Sequence, residues 1–246
     1  MIKKVLHIIS IIVKSFIKGS VVALLILNMV LIINVAQLMN DLEAKTDTMV
    51  SAIQENKVPT LPNFENLVRA NVVIYNISKG CMGAGTIINV NGKIYILSAG
   101  HLDDPDDTFF VKEGEEYRGI TLVKVNHKVD LALFEYDCTY CDLTIAPIAV
   151  GEPKVGDKVW AIGNPACLED AITSGTLVRK LGFNYLMDAK IYHGNSGGGL
   201  FNTKGELIGV NVAMTGIPGY MLGMTVNLST VKAFVLGLIP NELDKG

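Results

Sequence analysis

Between Val72 and Val226 the chain is a succession of short β-rich runs broken by turn signals, and this rhythm constrains the fold more than any other feature. A first series falls at residues 72–77, 85–90, 93–98, 109–112, 120–126 and 131–136. A second falls at 158–162, 174–180, 185–189, 199–202, 207–213 and 221–226. Turn dipeptides such as Asn91-Gly92 and Lys204-Gly205 separate neighbours. Two groups of about six strands suit two packed barrels, an all-β architecture. The linker between them lies near 147–155, and residues 228–238 read as a closing helix capped by Asn227 or Ser229.

Within this frame one segment carries chemistry. His193-Gly194-Asn195-Ser196-Gly197-Gly198-Gly199 places a serine in a run of small residues, where the backbone turns sharply and exposes its N–H groups. Acyl transfer needs such an exposed nucleophile with backbone donors beside it for the developing oxyanion. Taken alone, the string is equally a glycine-rich turn. Two further segments bear on it. Residues 94–101 form an apolar run that delivers His101 just past a Ser-Ala-Gly turn, and Val129-Asp130-Leu131-Ala132-Leu133 sets one carboxylate at the head of another apolar run. The order along the chain is His, Asp, Ser.

That order and these segments resemble the trypsin/chymotrypsin-like serine peptidases, and more closely the HtrA (DegP-like) protease domain. Gly83-Ala84-Gly85-Thr86-Ile87-Ile88 is similar to the strand before the histidine turn in that branch. Ala161-Ile162-Gly163-Asn164-Pro165 resembles its interdomain segment, Gly205-Glu206-Leu207-Ile208-Gly209-Val210-Asn211 the strand after the nucleophile, and Gly223-Met224-Thr225-Val226-Asn227 the strand before the closing helix. The resemblance covers about residues 66–238. It departs in two ways: the histidine turn is closer to simple trypsin-like peptidases, and with Gly246 soon after the last matching segment the PDZ domain typical of the branch is not expected.

The resemblance implies a chymotrypsin-like double β-barrel with the site in the cleft between barrels. Ser196 would be the nucleophile, His101 its general base and then acid, and Asp130 the group that orients the imidazole. Gly194, Asn195 and Ser196 would form the oxyanion hole. Asn195 stands where trypsin-like enzymes usually carry an aspartate that pairs with a new N-terminus, which implies activity without trimming. Lys190, Ile191, Tyr192, His193, Val212, Ala213 and Met214 would line the specificity pocket. A Lys190 at the pocket base would reject basic P1 residues. A Lys190 in solvent leaves an apolar wall suited to a small aliphatic P1, the reading favoured because burying an unpaired ammonium is costly.

The N-terminus is a different object. Half of all residues are hydrophobic and the mean hydropathy is +0.38, an excess for a soluble domain of this size. Residues 20–39 are almost wholly apolar and long enough for a transmembrane helix. Lys3, Lys4, Lys14 and Lys18 precede them and Asp41, Glu43 and Asp47 follow, which predicts a cytoplasmic N-terminus and an extracytoplasmic protease domain. A cleaved signal peptide competes, but the run lacks a small-x-small ending. The expected organisation is a basic interfacial segment at 1–19, the membrane helix at 20–39, a connector at 40–65 and the protease domain at 66–240. Within the last, the barrels span about 66–146 and 155–227. In the connector, Leu42, Met49 and Ile53 would share one helical face from near Asp41, ended by the prolines at 59 and 62.

With a net charge of −3 and no basic, aromatic-interleaved stripe, nothing points to nucleic acid, and none is expected as a partner. His7 and His127 read as ordinary polar positions, and the acidic run at 103–107 as a solvated loop without EF-hand spacing. Four cysteines, Cys81, Cys138, Cys141 and Cys167, allow three full pairings, and sequence does not choose among them. Free thiols or one local disulfide are favoured over a zinc site built on Cys138 and Cys141, so neither metal nor cofactor is expected. The leading function is a membrane-tethered serine endopeptidase acting on proteins or peptides. The alternatives are a non-catalytic peptide-binding homologue and a self-processing protease. Related catalytic domains often trimerise, which leaves a homo-oligomer open without identifying its contacts.

Overall fold

The computed structural model describes residues 2–55, 61–103, 108–113, 116–137 and 144–243. It forms two compact units, Met1–Val58 and Pro59–Gly246. The first is a single helix, α1 (Ile2–Glu55), of 54 residues. The helix expected from Asp41 is therefore the last part of α1, and the side chains of Met49 and Ile53 on its expected face lie outside the described residues. Leu24, Leu27, Leu31 and Ile32 of α1 are exposed. Among the described residues no helix is long and apolar enough to cross a membrane, so the span expected over 20–39 is not shown. The side chains at 22, 23, 25 and 26 of that run are not among the described ones.

The second unit opens with a short helix, α2 (Phe64–Arg69), capped by the Asn63 side chain, which accepts from Asn66 N–H. Six strands follow: β1 (Asn71–Asn76), β2 (Gly80–Val90), β3 (Lys93–Ser98), β4 (Phe109–Glu113), β5 (Glu116–Asn126) and β6 (Leu131–Glu135). They close into a barrel in the order β1-β2-β3-β6-β5-β4. A second set comprises β7 (Lys158–Gly163), β8 (Ala171–Leu181), β9 (Asn184–Met187), β10 (Gly199–Phe201), β11 (Leu207–Ile217) and β12 (Tyr220–Asn227). These close as β10-β11-β12-β9-β8-β7. The helix α3 (Leu228–Val235) ends the fold, and the cap is Asn227, whose side chain accepts from Thr230 N–H at 2.9 Å. The chain is thus an all-β double six-stranded barrel with a C-terminal helix.

The turn chemistry explains the registers. Asn91 and Gly92 both take positive φ, +54° and +86°, the demand of the tight hairpin that joins β2 to β3. Ile74, Ile87, Ile96, Phe109 and Phe134 fill the first barrel, with the two phenyl rings edge to face at 5.2 Å. Val159, Leu177, Tyr185, Leu200 and Ile208 fill the second. A third layer joins the barrels: Leu97, Leu102 and Leu131 meet Ile162, Phe201 and Val210, with Val231 and Phe234 of α3 beneath. Each such side chain contributes about 1.5–3 kcal/mol when fully buried.

Cys81 and Cys167 form a disulfide across 86 residues of chain. The local disulfide or free thiols favoured from sequence are replaced, for this pair, by a long-range cystine. Cys138, Cys141 and the loop at 104–107 lie outside the described residues.

Candidate active site

β3 ends in Ser98, and the chain turns through a short 3-10 segment, Gly100–Leu102, that carries His101. Opposite it, the β5–β6 hairpin is closed by the Asn126 side chain, which accepts from the N–H groups of Lys128 and Val129. This turn leaves Asp130 in the left-handed region at φ +57°. Two turns of one barrel thereby meet. Asp130 Oδ1 accepts from His101 N–H at 2.8 Å, and the ring Nδ1 lies 2.9 Å from Oδ2 and 3.0 Å from Oδ1. With Nδ1 engaged by a carboxylate, the neutral ring carries its proton there and leaves Nε2 as the acceptor.

Ser196 comes from the other barrel, on the loop between β9 and β10. Its carbonyl accepts from Ala84 N–H at 2.8 Å, and Gly197 N–H donates to Asn211 O at 2.8 Å. The serine is therefore anchored on one side to β2 and on the other to β11. Gly197 has φ +87°, and a Cβ there would overlap Ala84 O and Ser98 Oγ. Gly194 has φ +100° and faces Asn164 O equally closely. Both positions exclude any side chain on two counts, conformation and space.

A cavity of about 450 Å³ joins the two halves, lined by His101, Ile191, Tyr192, His193, Ser196, Val212, Ala213, Met214 and Met221. The Ser196 hydroxyl donates to Val212 O at 3.4 Å, and among the described residues no hydrogen bond links it to the His101 ring. Neither Gly194 N–H nor Ser196 N–H donates to any acceptor among the described residues. Asn195 differs from the expectation for it: its N–H is committed to Tyr192 O at 3.0 Å, so it offers no donor to a bound oxyanion. Its side chain is buried, with neither polar atom partnered among the described residues.

Lys190 is exposed and lines a neighbouring cavity with Asp188 rather than the cavity that holds Ser196. His127 does not join the site. Its Nδ1 lies 2.8 Å from Glu242 Oε2 and its Nε2 3.6 Å from Asp103 Oδ2. No group of three metal-ligating side chains occurs among the described residues.

Three features near the site were not anticipated. Met221, on the β11–β12 hairpin, lines the cavity. Asn164 N–H donates to Gly194 O at 3.1 Å, and Ala166 N–H donates to His193 O at 2.9 Å. The motif containing Asn164 was visible in the sequence, but its grip on the serine loop is a through-space contact with no spacing signal. Beside it, Asp170 accepts from Asn71 Nδ2 at 3.0 Å. Burial raises the Asp170 pKa above the ordinary carboxylate value, the Asn71 hydrogen bond opposes this, and Glu169 adds to it.

Comparison with known proteins gives this geometry its context. A probable periplasmic serine protease, do/HhoA-like, of Haemophilus influenzae is 35% identical over 165 residues, covering 62% of this chain and 35% of the relative. Serine endoprotease DegS of Escherichia coli K12 is 36% identical over 141 residues, covering 53% of this chain and 39% of the relative. The chain thus spans little more than a third of the length of these curated relatives. The crystal structure of the serine endoprotease from Yersinia pestis superposes with a TM-score of 0.62 at 30% identity, over 72% of this chain and 66% of that one. The family model for the trypsin-like peptidase domain matches residues 83–210, half of the sequence and all three of His101, Asp130 and Ser196. The chain belongs to the trypsin-like peptidase domain family.

Proposed function

We propose that the chain is a serine endopeptidase that cleaves peptide bonds through a Ser196–His101–Asp130 triad and an acyl-enzyme. The observation that carries this reading is the Asp130–His101 pair with His101 facing Ser196 across one cavity, where the N–H groups of Gly194 and Ser196 have no acceptor among the described residues. In the first step Ser196 Oγ turns from Val212 O to His101 Nε2, gives up its proton there and attacks the scissile carbonyl. The N–H groups of Gly194 and Ser196 receive the oxyanion. The imidazolium, stabilised by Asp130, then protonates the leaving amine, and water repeats the sequence to release the acid. Asn195 carries no charge and makes no ion pair, so the reading includes activity without N-terminal trimming.

The apolar lining by Ile191, Val212, Ala213, Met214 and Met221, with Lys190 directed elsewhere, supports a small aliphatic P1 residue in a protein substrate. The cystine supports an oxidising, extracytoplasmic compartment for the barrels, and relatives bear the description periplasmic. Membrane anchoring rests on residues 20–39, which contain no charged side chain.

The test is reaction of the full chain with a fluorophosphonate probe, together with cleavage-site profiling on a peptide library. Labelling at Ser196, lost in Ser196→Ala, and cleavage after small aliphatic residues are expected. A folded chain that neither labels nor cleaves would be a binding module rather than an enzyme.

A further inference from the structure

The serine loop is held from behind by one short segment. Asn164 N–H grips Gly194 O and Ala166 N–H grips His193 O, so these two carbonyls are engaged on the side of this segment. The N–H of Gly194 is left unpaired as a consequence, because the His193–Gly194 peptide has a single orientation.

Within the segment Cys167 N–H donates to Asn164 O at 3.0 Å and Leu168 N–H to Pro165 O at 2.9 Å. Ala166 and Cys167 are exposed, and both lie in the left-handed region at φ +51° and +64°. Two consecutive non-glycine residues in that region persist only where the surroundings over-determine them. The surroundings here include a pin to the first barrel at each end, beside the Asn71–Asp170 and Lys112–Glu169 contacts. At one end Asn164 Nδ2 donates to Val72 O at 3.1 Å, and Asn164 Oδ1 accepts from Asn71 Nδ2 at 3.0 Å. At the other end stands the Cys167–Cys81 disulfide. Cys81 belongs to β2, three residues before Ala84, the residue whose N–H holds Ser196 O. The cystine therefore ties the segment behind the oxyanion loop to the strand that fixes the nucleophile.

We propose that the Cys81–Cys167 disulfide positions the oxyanion hole, and that its reduction switches acylation down reversibly. The proposal rests on the peptidase reading above. With the disulfide intact, Ala166 N–H keeps the His193 carbonyl turned away and the Gly194 N–H free. With it cut, Ala166 and Cys167 relax toward ordinary backbone conformations. The His193–Gly194 peptide then turns, its carbonyl replacing the N–H donor. The reductant is a dithiol: its two thiols become one disulfide, and two electrons and two protons pass to the protein, leaving Cys81 and Cys167 as free thiols. Cys167 is exposed and Cys81 half-buried, so a thiolate can reach the bond.

The experiment uses the full chain, oxidised, reduced with dithiothreitol, and as Cys81→Ser/Cys167→Ser, which separates this cystine from Cys138 and Cys141. Thiol alkylation and mass confirm each redox state, and thermal unfolding is followed at the assay temperature. Steady-state hydrolysis of a chromogenic peptide gives kcat and KM, and a peptidyl trifluoromethyl ketone reports the strength of the oxyanion site. Cutting the bond should lower kcat at least tenfold with KM changed less than threefold. Affinity for the ketone should fall in parallel, and reoxidation should restore the parent but not the double variant. Cys81→Ser/Cys167→Asn should recover part of kcat, because Asn tolerates the left-handed region. Equal kcat with the bond proven open overturns the proposal. So does a reduced chain that is unfolded at the assay temperature, since the disulfide then supports the whole fold rather than the hole. An oxidised chain that never labels with fluorophosphonate removes the peptidase reading itself, and this proposal with it.

Discussion

Replacing Asp130 by Asn tests whether the carboxylate sets the proton on His101. The aspartate does two things at once: Oδ1 accepts from the His101 backbone N–H at 2.8 Å, and both oxygens face Nδ1 within 3.0 Å. An amide has only one oxygen. If that oxygen stays on the backbone N–H, the NH₂ group faces Nδ1 at the distance where Oδ2 stood. If the amide flips, its NH₂ group meets the backbone N–H, donor against donor. The first orientation wins, and Nδ1 must become the acceptor. The ring proton moves to Nε2, which can no longer receive the Ser196 proton. Substitution of this kind lowers kcat by about 10⁴-fold, or about 5 kcal/mol in the barrier. The fold should survive, because Asn is among the residues that best tolerate the left-handed conformation at Asp130. Steady-state hydrolysis of a peptide substrate, with thermal unfolding of the same samples, measures both effects. A folded Asp130→Asn chain that keeps more than about a tenth of parental kcat would show that the tautomer argument is wrong.

Three other substitutions probe the surroundings. Asp170 has a pKa raised chiefly by burial, so the folded chain retains its proton to higher pH than the unfolded chain. Its contribution to stability is full below the ordinary carboxylate pKa and is lost as pH rises through the raised one. Asp170→Asn, which keeps an acceptor for Asn71, should flatten the decline in urea-unfolding stability across that window, and an unchanged slope would refute the assignment. Asn211 is fully buried, donating to Ile162 O and Gly199 O at 3.2 Å and accepting from Thr225 Oγ1 at 3.1 Å. Asn211→Leu strands these groups and should cost about 3 kcal/mol in urea unfolding, whereas a loss below about 1 kcal/mol would mean the site relaxes. Lys190→Glu should leave the P1 profile of library cleavage unchanged, because the ammonium lies outside the Ser196 cavity; a shift toward basic P1 residues would place it inside.

The strands were legible in number and order from apolar runs and turn signals, such as Asn91-Gly92 between β2 and β3, but β2, β5, β8 and β11 each run to 11 residues, beyond the ranges expected for them. Ser196 stands out as a candidate because glycines crowd it, and His101 and Asp130 because each follows or heads an apolar strand. What escaped was structure that depends on distance through space. The Cys81–Cys167 bond spans 86 residues, and no spacing rule points across two barrels. The helix α2 has a visible cap in Asn63, yet six residues are too few to show a period. Polarity rises at Asp41, which suggested a new element there. Backbone helicity does not end where polarity changes; it ends at caps and prolines, and Asp41 is neither, so α1 runs on to Glu55.

The glycines around Ser196 answer a packing demand before a chemical one. In the proposed triad Ser196 belongs to one barrel and His101 to the other, so on that reading the docking of the barrels is itself a catalytic coordinate. Part of that docking is made at the serine. Ala84 N–H binds Ser196 O, Ser98 Oγ binds Ala84 O at 2.7 Å, and Gly197 lies against both partners with no room for a side chain. On the β2 side, a Cβ at Gly83 would stand 2.7 Å from Ser196 O. A methyl group at either glycine would collide with backbone of the other barrel, Gly197 with Ala84 O and Gly83 with Ser196 O. On the proposed reading, the contacts that set the spacing between barrels therefore also set the reach of Ser196, and a close backbone seam is how two halves of one compact unit bring His101 and Ser196 to a single cavity.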